Sequence, residues 1–435
     1  MHPNARQTPA ARRPRKWRWG AAAVALAMAG TGAAAAPAAA APDRDRAEYC
    51  GDNAMVEEKL PNGSRWQLCW HVDEKTGLVL EKVAFRGKRD KALLNVLDSI
   101  TLAQLNVPYD SGYNEWNDIT SYGFGGSYME PMDGDDCEGK RRAAWTGAGE
   151  GSKKVLCVSK QETGLAYRLQ GPSPTKPYAK MGHDLVLKTI SKVGWYEYLT
   201  EYRLADDGQI SVRLGATGDL APRDYTTPDE GWPIGPGQSD YSVNHYHSAF
   251  WKVDFGIGAN QKVEQYDTAP TGERGRRSAI YKTKKKDITT EENLNTALRR
   301  WWRVVAPDSR NADDHPRSYE LDLGASDAYE AHPETMPDVT FTQYKPCEKF
   351  ATFNQDPECP GTSILDYTDG ETMTDPVAWV RIGFHHIPRD EDQSPMPVHW
   401  QGFELVPRDF SAQNPLIPDD RLPVNGDGVD GNGTA

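Results

Sequence analysis

The sequence predicts a mainly β architecture, on three observations. Turn formers and strand formers are both plentiful, with 39 Gly, 31 Pro, 13 Trp and 19 Tyr in 435 residues. Stretches with a 3.6-residue apolar period are scarce, whereas short alternating runs bounded by Gly, Asp and Pro recur along the chain. At 38% apolar residues, a chain of this length can bury a sizeable core.

Residues 1–41 stand outside that fold. Arg12, Arg13, Arg15, Lys16 and Arg18 make a basic n-region, Gly20 to Ala29 an apolar core, and Ala33 to Ala41 offers A-x-A cleavage sites. This reads as a secretory signal peptide; Arg12-Arg13 hints at twin-arginine export, but the rest of that motif is missing. Its removal takes away six basic residues and no acidic ones, so the net charge moves from −13 to −19. Such a chain is expected to repel nucleic acid, and its acidity suits either mild attraction of cationic small molecules or a surface kept acidic for solubility alone. No later segment is apolar enough to cross a membrane as a helix. Six cysteines in an exported chain suggest three disulfides, and the spacing suggests Cys50–Cys69, Cys137–Cys157 and Cys347–Cys359.

The elements follow in order. Arg65 to Gly87 alternates around a turn at Asp73 to Gly77 and should form a hairpin. Ile100 to Asn106 is an apolar strand leading into Val107-Pro108-Tyr109. The Gly- and Asp-rich loop from Asp110 to Lys140 carries Trp116, Asp118, Tyr122 and Gly123-Phe124-Gly125-Gly126, which suits a pocket wall. Val155 to Val158 and Leu165 to Leu169 read as two short strands. Leu185 to Leu204 reads as one long strand with Tyr196 in its middle, turning at Asp206-Asp207-Gly208 and returning as Gln209 to Leu214. Asp240 to Ile257 holds a histidine strand, and the basic run Arg274 to Lys286 is expected to be a solvated loop. Thr290 to Val305 is expected to be a short helix, with Thr290-x-x-Asn293 at its start and Pro307 past its end. Tyr319 to Leu323, Asp338 to Tyr344 and Asp375 to Phe384 complete the strands. From Pro418 onward no core-forming residues remain, so residues 418–435 are expected to be a flexible tail.

The chemistry centres on Asn244-His245-Tyr246-His247. On a strand, the i, i+2 spacing sets both imidazoles on one face. Imidazole suits copper, zinc, iron or nickel better than calcium or magnesium. By itself the pair is equally compatible with a metal-free surface.

Taken together, these stretches resemble the catalytic domain of copper amine oxidases, the topaquinone-containing primary-amine oxidases, from about Trp66 to Pro415. The most specific part is Gly383-Phe384-His385-His386-Ile387-Pro388-Arg389-Asp390-Glu391-Asp392-Gln393-Ser394-Pro395-Met396-Pro397, followed by Trp400, Phe403, Pro407, Phe410 and Asn414-Pro415. The resemblance implies a large antiparallel β-sandwich over residues 42–417, the family's supersandwich. It makes His245, His247 and His386 the copper ligands, with Phe250 and Asp254 completing the motif. On a strand, His385 must point the other way. The family's cofactor tyrosine falls on Tyr196, within Lys192-Val193-Gly194-Trp195-Tyr196-Glu197-Tyr198. Here Lys192 and Trp195 stand where the family has Thr and Asn. The catalytic base falls on Asp118, after Val107-Pro108-Tyr109, although Thr120 and Ser121 replace the family's Gly-Glu. Tyr109, Trp116 and Trp195 would line the substrate channel, with Trp195 filling space near the quinone and narrowing the choice to slender or small amines. Cys137–Cys157 matches the family's disulfide.

The implied reaction takes a primary amine, dioxygen and water to an aldehyde, ammonia and hydrogen peroxide, through a Schiff base on the modified Tyr196. Copper and topaquinone are the implied cofactors, and the implied assembly is a homodimer. Peripheral calcium occurs in the family, but its ligands are not placed by the sequence. Two alternatives stay open: a secreted copper-binding relative without the quinone, motivated by Lys192 and Trp195, and an unrelated secreted β-sandwich that binds a partner.

Overall fold

A computed structural model describes residues 49–51, 53–147, 150–169, 177–221, 229, 231–236, 241–359 and 361–417. The expected signal peptide and the expected tail lie outside the described residues.

The strands are β1 (Ala54–Lys59), β2 (Arg65–Asp73), β3 (Gly77–Arg86), β4 (Leu94–Pro108), β5 (Glu115–Asn117), β6 (Lys140–Trp145) and β7 (Ser152–Leu169). They continue with β8 (Tyr178–Val193), β9 (Tyr196–Ala205), β10 (Ile210–Gly218), β11 (Gly231–Pro233), β12 (Tyr241–Val243), β13 (His245–Phe255) and β14 (Lys262–Arg274). The last are β15 (Ala279–Ile288), β16 (Glu292–Leu294), β17 (Arg300–Arg310), β18 (Pro316–Leu323), β19 (Val339–Gln343), β20 (Pro376–His386) and β21 (Met396–Arg408).

They make two large sheets. One runs β1-β2-β3-β4-β13-β20-β19-β16, with β5 paired to β4; the other runs β15-β14-β17-β18-β21-β10-β9-β8-β7-β6. The pairings are antiparallel, so the expected antiparallel β-sandwich is what the chain forms. The core lies between the sheets. Trp251 on β13 meets Phe403 on β21 edge to face at 5.7 Å. Trp66 on β2 is fully buried and donates its indole N–H to the Ala205 carbonyl at 2.8 Å. Rings of this size each bury on the order of 150–250 Å2, and in this core they reach across between the layers.

Three disulfides form, Cys50–Cys69, Cys137–Cys157 and Cys347–Cys359, as the spacing suggested. No helix among the described residues is long and apolar enough to cross a membrane.

Four expectations need correction. Thr290 to Val305 is not a helix but β16 and the start of β17. Its Trp301-Trp302-Arg303-Val304 alternates with period 2: Trp302 and Val304 are buried while Trp301 and Arg303 are not. Burial of alternate aromatic and β-branched residues outweighs the capping signal upstream. Leu185 to Leu204 is two strands, β8 and β9, joined by the two-residue turn Gly194-Trp195, so Tyr196 begins a strand rather than sitting mid-strand. Gly194 has φ 62 while Trp195 lies outside the left-handed region, the pattern of a II′ hairpin turn, which demands glycine only at its first central position. Val155 to Leu169 is one strand, β7, rather than two. The basic run is not a loop: it closes the solvent-exposed β14–β15 hairpin.

Candidate active site

His245 and His247 lie on β13, and His386 ends the neighbouring β20. The antiparallel register sets His245 directly opposite His386. All three are buried, and their ligand atoms lie within 4.8 Å of one another. Alternation sends His385 to the other face, where it stacks on Tyr246 and hydrogen-bonds Asp110 at 2.9 Å.

Burial decides the charge state of the triad. It lowers the His245 pKa to about 3 and the His386 pKa to about 4, and holds His247 well below its ordinary value. All three are therefore neutral imidazoles with lone pairs to offer. The outer partners choose the tautomers. His245 Nδ1 lies 3.0 Å from the Val243 carbonyl and donates to it, which leaves Nε2 as the lone-pair atom. His386 Nε2 lies 3.2 Å from the Asp392 carboxylate, which leaves Nδ1. The two freed nitrogens are 3.3 Å apart. His247 is fully buried, yet neither ring nitrogen has a hydrogen-bond partner. An unmet buried polar group of this kind costs about 1–3 kcal/mol. A metal ion taken between the three imidazoles would satisfy it, and an all-imidazole donor set suits copper or zinc. The residues present fit such an ion.

Tyr196 comes from the opposite sheet. Its hydroxyl donates to His245 Nε2 at 2.8 Å and lies 3.3 Å from His386 Nδ1, so it sits where a bound ion would be its neighbour. Its ring stacks on Tyr198 at 5.6 Å, and Tyr198 stacks on Phe124 at 5.1 Å. The adjoining glycine is required by close approach: a Cβ at Gly218 on β10 would meet the Trp195 carbonyl at 2.7 Å. The turn before Tyr196 is thus clamped from behind.

On the far side of Tyr196 opens a pocket of about 540 Å3, walled by Tyr109, Trp116, Tyr122, Tyr128, Trp195 and Asp118. That is within the usual range for a small-molecule site, about 300–1,000 Å3. Asp118 begins the one-turn helix α1 (Asp118–Ser121), not an irregular loop; fully buried Ile119 anchors the turn. Burial raises its carboxyl pKa to about 7, opposed by a hydrogen bond from the Tyr198 hydroxyl. Tyr109 stacks on His245 at 4.7 Å, linking pocket and histidines. Trp116, Tyr122 and Tyr128 follow one another at 5.9 and 6.0 Å. Trp195 is 49% exposed and forms part of the rim rather than filling the space beside Tyr196.

The structure brings together Asp118, Tyr196, Tyr109, Trp116, Trp195, His245, His247 and His386, whereas Phe250 packs in a separate core cluster and Asp254 lies at the far end of β13. Sequence reasoning passed over Tyr198, Tyr128, Asp392 and His399. Tyr198 was legible, because two residues after Tyr196 on a strand is the same face. Tyr128 and His399 carry no local signal.

Known proteins resemble this chain in sequence and in fold. The family described as copper amine oxidase, enzyme domain, matches residues 56–420. Primary amine oxidase 2 of Arabidopsis thaliana is 23% identical over 422 residues, covering 86% of this chain and 61% of that protein. Histamine oxidase of Arthrobacter globiformis is 25% identical over 423 residues, covering 84% of this chain and 58% of that protein. The chain thus spans about three fifths of the length of these relatives. In fold, it is similar to a copper-containing benzylamine oxidase from Hansenula polymorpha, with TM-score 0.71, 20% identity, and coverage of 83% of this chain and 63% of that one.

Proposed function

The chain belongs to the copper amine oxidase family, and on that premise we propose that it is an exported oxidase of slender primary amines. The reaction takes amine, dioxygen and water to aldehyde, ammonia and hydrogen peroxide. Copper held by His245, His247 and His386, together with a topaquinone made from Tyr196, supplies the electrophilic carbonyl and the two-electron acceptor when present. The single observation that carries this reading is the position of the Tyr196 hydroxyl, 2.8 Å from His245, with the Asp118 pocket on the other side of its ring. Assembly as a homodimer belongs to the same proposal and rests on family membership.

The chain's own residues supply the rest. Asp118 faces the pocket from a buried position, and its carboxylate form accepts the α-proton of a bound amine. A carboxyl titrating near pH 7 is a much better proton acceptor than one near its ordinary value, while still ionised in useful fraction at neutral pH. The Tyr198 hydroxyl fixes the carboxylate by its hydrogen bond. Tyr198 also supports the face of Tyr196, and Tyr109 packs on His245. The walls Trp116, Tyr122 and Tyr128 exclude water and pack on an apolar or aryl tail. Trp195 narrows the mouth, so a slender tail passes more readily than a branched one. Three disulfides support an oxidising compartment as the place of work.

Lys192 and Trp195 favour one second reading, a copper-binding relative in which Tyr196 stays unmodified. Phenylhydrazine separates the two. Copper-loaded, aerated protein should show a broad visible band that converts to an intense adduct, and Tyr196→Phe should show neither. A colourless protein that still holds copper would leave copper binding as the function.

A further inference from the structure

Asp392 is bound on both oxygens, and its two histidine partners come from different sheets. Oδ2 faces His386 Nε2 at 3.2 Å and accepts the Arg389 backbone N–H at 3.0 Å. Oδ1 accepts from His399 Nε2 at 2.8 Å. His386 ends β20 in the nine-stranded sheet, whereas His399 lies on β21 in the ten-stranded sheet, opposite Ala216. Asp392 is 1% exposed. His399 makes a second approach to the same centre. Its ring lies parallel to Phe384 (6.3 Å, 3°), and Phe384 lies parallel to His247 (4.9 Å, 4°).

We propose that His399 is a positioning residue for the copper centre: through Asp392 it dictates that His386 offers Nδ1, and through Phe384 it braces His247. The inference rests on the copper-site reading above and goes beyond it.

The physical argument is one of alternatives. A free imidazole can ligate through either nitrogen. At His386 the choice matters, because Nδ1 is the atom beside His245 Nε2 and the Tyr196 hydroxyl. Asp392 makes the choice by accepting from Nε2, but a carboxylate held on one oxygen can swing about its Cβ–Cγ bond. The His399 hydrogen bond on Oδ1 stops that swing. Among the described residues the Arg389 guanidinium also lies near Oδ1, at 3.8 Å, on a side chain that is 58% exposed and a weak substitute. Because β21 belongs to the opposite layer, the same bond ties the spacing of the two sheets to the direction of the His386 ring. Outer partners of ligating histidines are typically worth about 10–100-fold in metal affinity.

The test compares His399→Ala and His399→Gln with wild type, using copper affinity from chelator competition and the Cu(II) EPR spectrum. Glutamine keeps an N–H donor at similar reach. His399→Ala should bind copper about 10–100-fold more weakly and show altered copper hyperfine splitting, and His399→Gln should recover most of both. A purely structural histidine would lower the melting temperature of the copper-free protein without changing the EPR spectrum of the copper-bound form. His399→Ala with wild-type affinity and spectrum overturns the inference alone, as does failure of His399→Gln to recover either. Wild-type protein that takes up no copper overturns the copper-site reading and the inference together.

Discussion

The histidine corner and the aromatic pocket beside Asp118 meet at Tyr196, yet they are built in opposite ways. The corner stands on central strands: β13 is paired on both sides by β4 and β20, and β20 on both sides by β13 and β19. Each ligand direction is therefore set by a ladder and by strand alternation. The pocket is assembled from pieces at the margins. Asp118 is on a one-turn helix, Trp116 on a three-residue strand, and Trp195 in a two-residue turn. A metal centre needs its ligands within about half an ångström of the productive geometry, which paired strands deliver. A substrate wall can vary, and variation is tolerated where few backbone hydrogen bonds depend on it. Of the departures from the family pattern, Trp195 lines the pocket and Thr120 and Ser121 share the one-turn helix of Asp118, whereas Lys192 lies on β8; the three histidines match the pattern.

The comparison can be broken most decisively at the corner. His247→Ala removes one of the three buried imidazoles that converge at the corner. After dialysis it should retain no stoichiometric copper, measured by atomic absorption, and should give no phenylhydrazine adduct. Full copper retention would mean the ion is held elsewhere.

On the pocket side the largest effect should come from Asp118→Asn. It should keep copper and lose roughly 10²–10⁴-fold in kcat/KM, the usual worth of a positioned general base. The pH profile carries the sign. Burial raises this carboxyl to about 7, so below that value it is protonated and cannot accept a proton. Wild-type kcat/KM should therefore rise with pH through about 7, and that limb should be missing in Asp118→Asn. A wild-type limb near pH 4 would show that the carboxyl is not the buried one described.

The smallest effect should come from the rim. Trp195→Asn should raise kcat/KM for a bulky amine such as 2,2-diphenylethylamine relative to 2-phenylethylamine, by on the order of tenfold, the lower end of what an apolar wall discriminates. An unchanged ratio would remove Trp195 from the selectivity of the pocket.

Much of this was legible in the sequence, for local reasons. The His245–His247 pair, the hairpin at Asp73 to Gly77 and the outward turn of His385 all follow from a period of two. The misjudged elements had different causes, and in one of them a local signal competed with burial. Thr290-x-x-Asn293 resembles a helix start, but Trp302 and Val304 gain more by pointing into the core from a strand. At Gly194-Trp195 the alternation before and after the turn is so similar that the turn is hidden. A single glycine at φ 62 is all that marks it.

By itself the sequence determined which side chains the chemistry can use and which strand face each occupies, because alternation along a strand is a property of neighbours in the chain. Three matters were left to the tertiary structure: that Tyr196 reaches His245 from the opposite sheet, that Asp118 is buried deeply enough to titrate near 7, and that His399 holds Asp392 against His386. Each depends on the distance between two layers. That distance is set by the packing of Trp66, Trp251, Phe403 and the rest of the core taken together, so no single stretch encodes it.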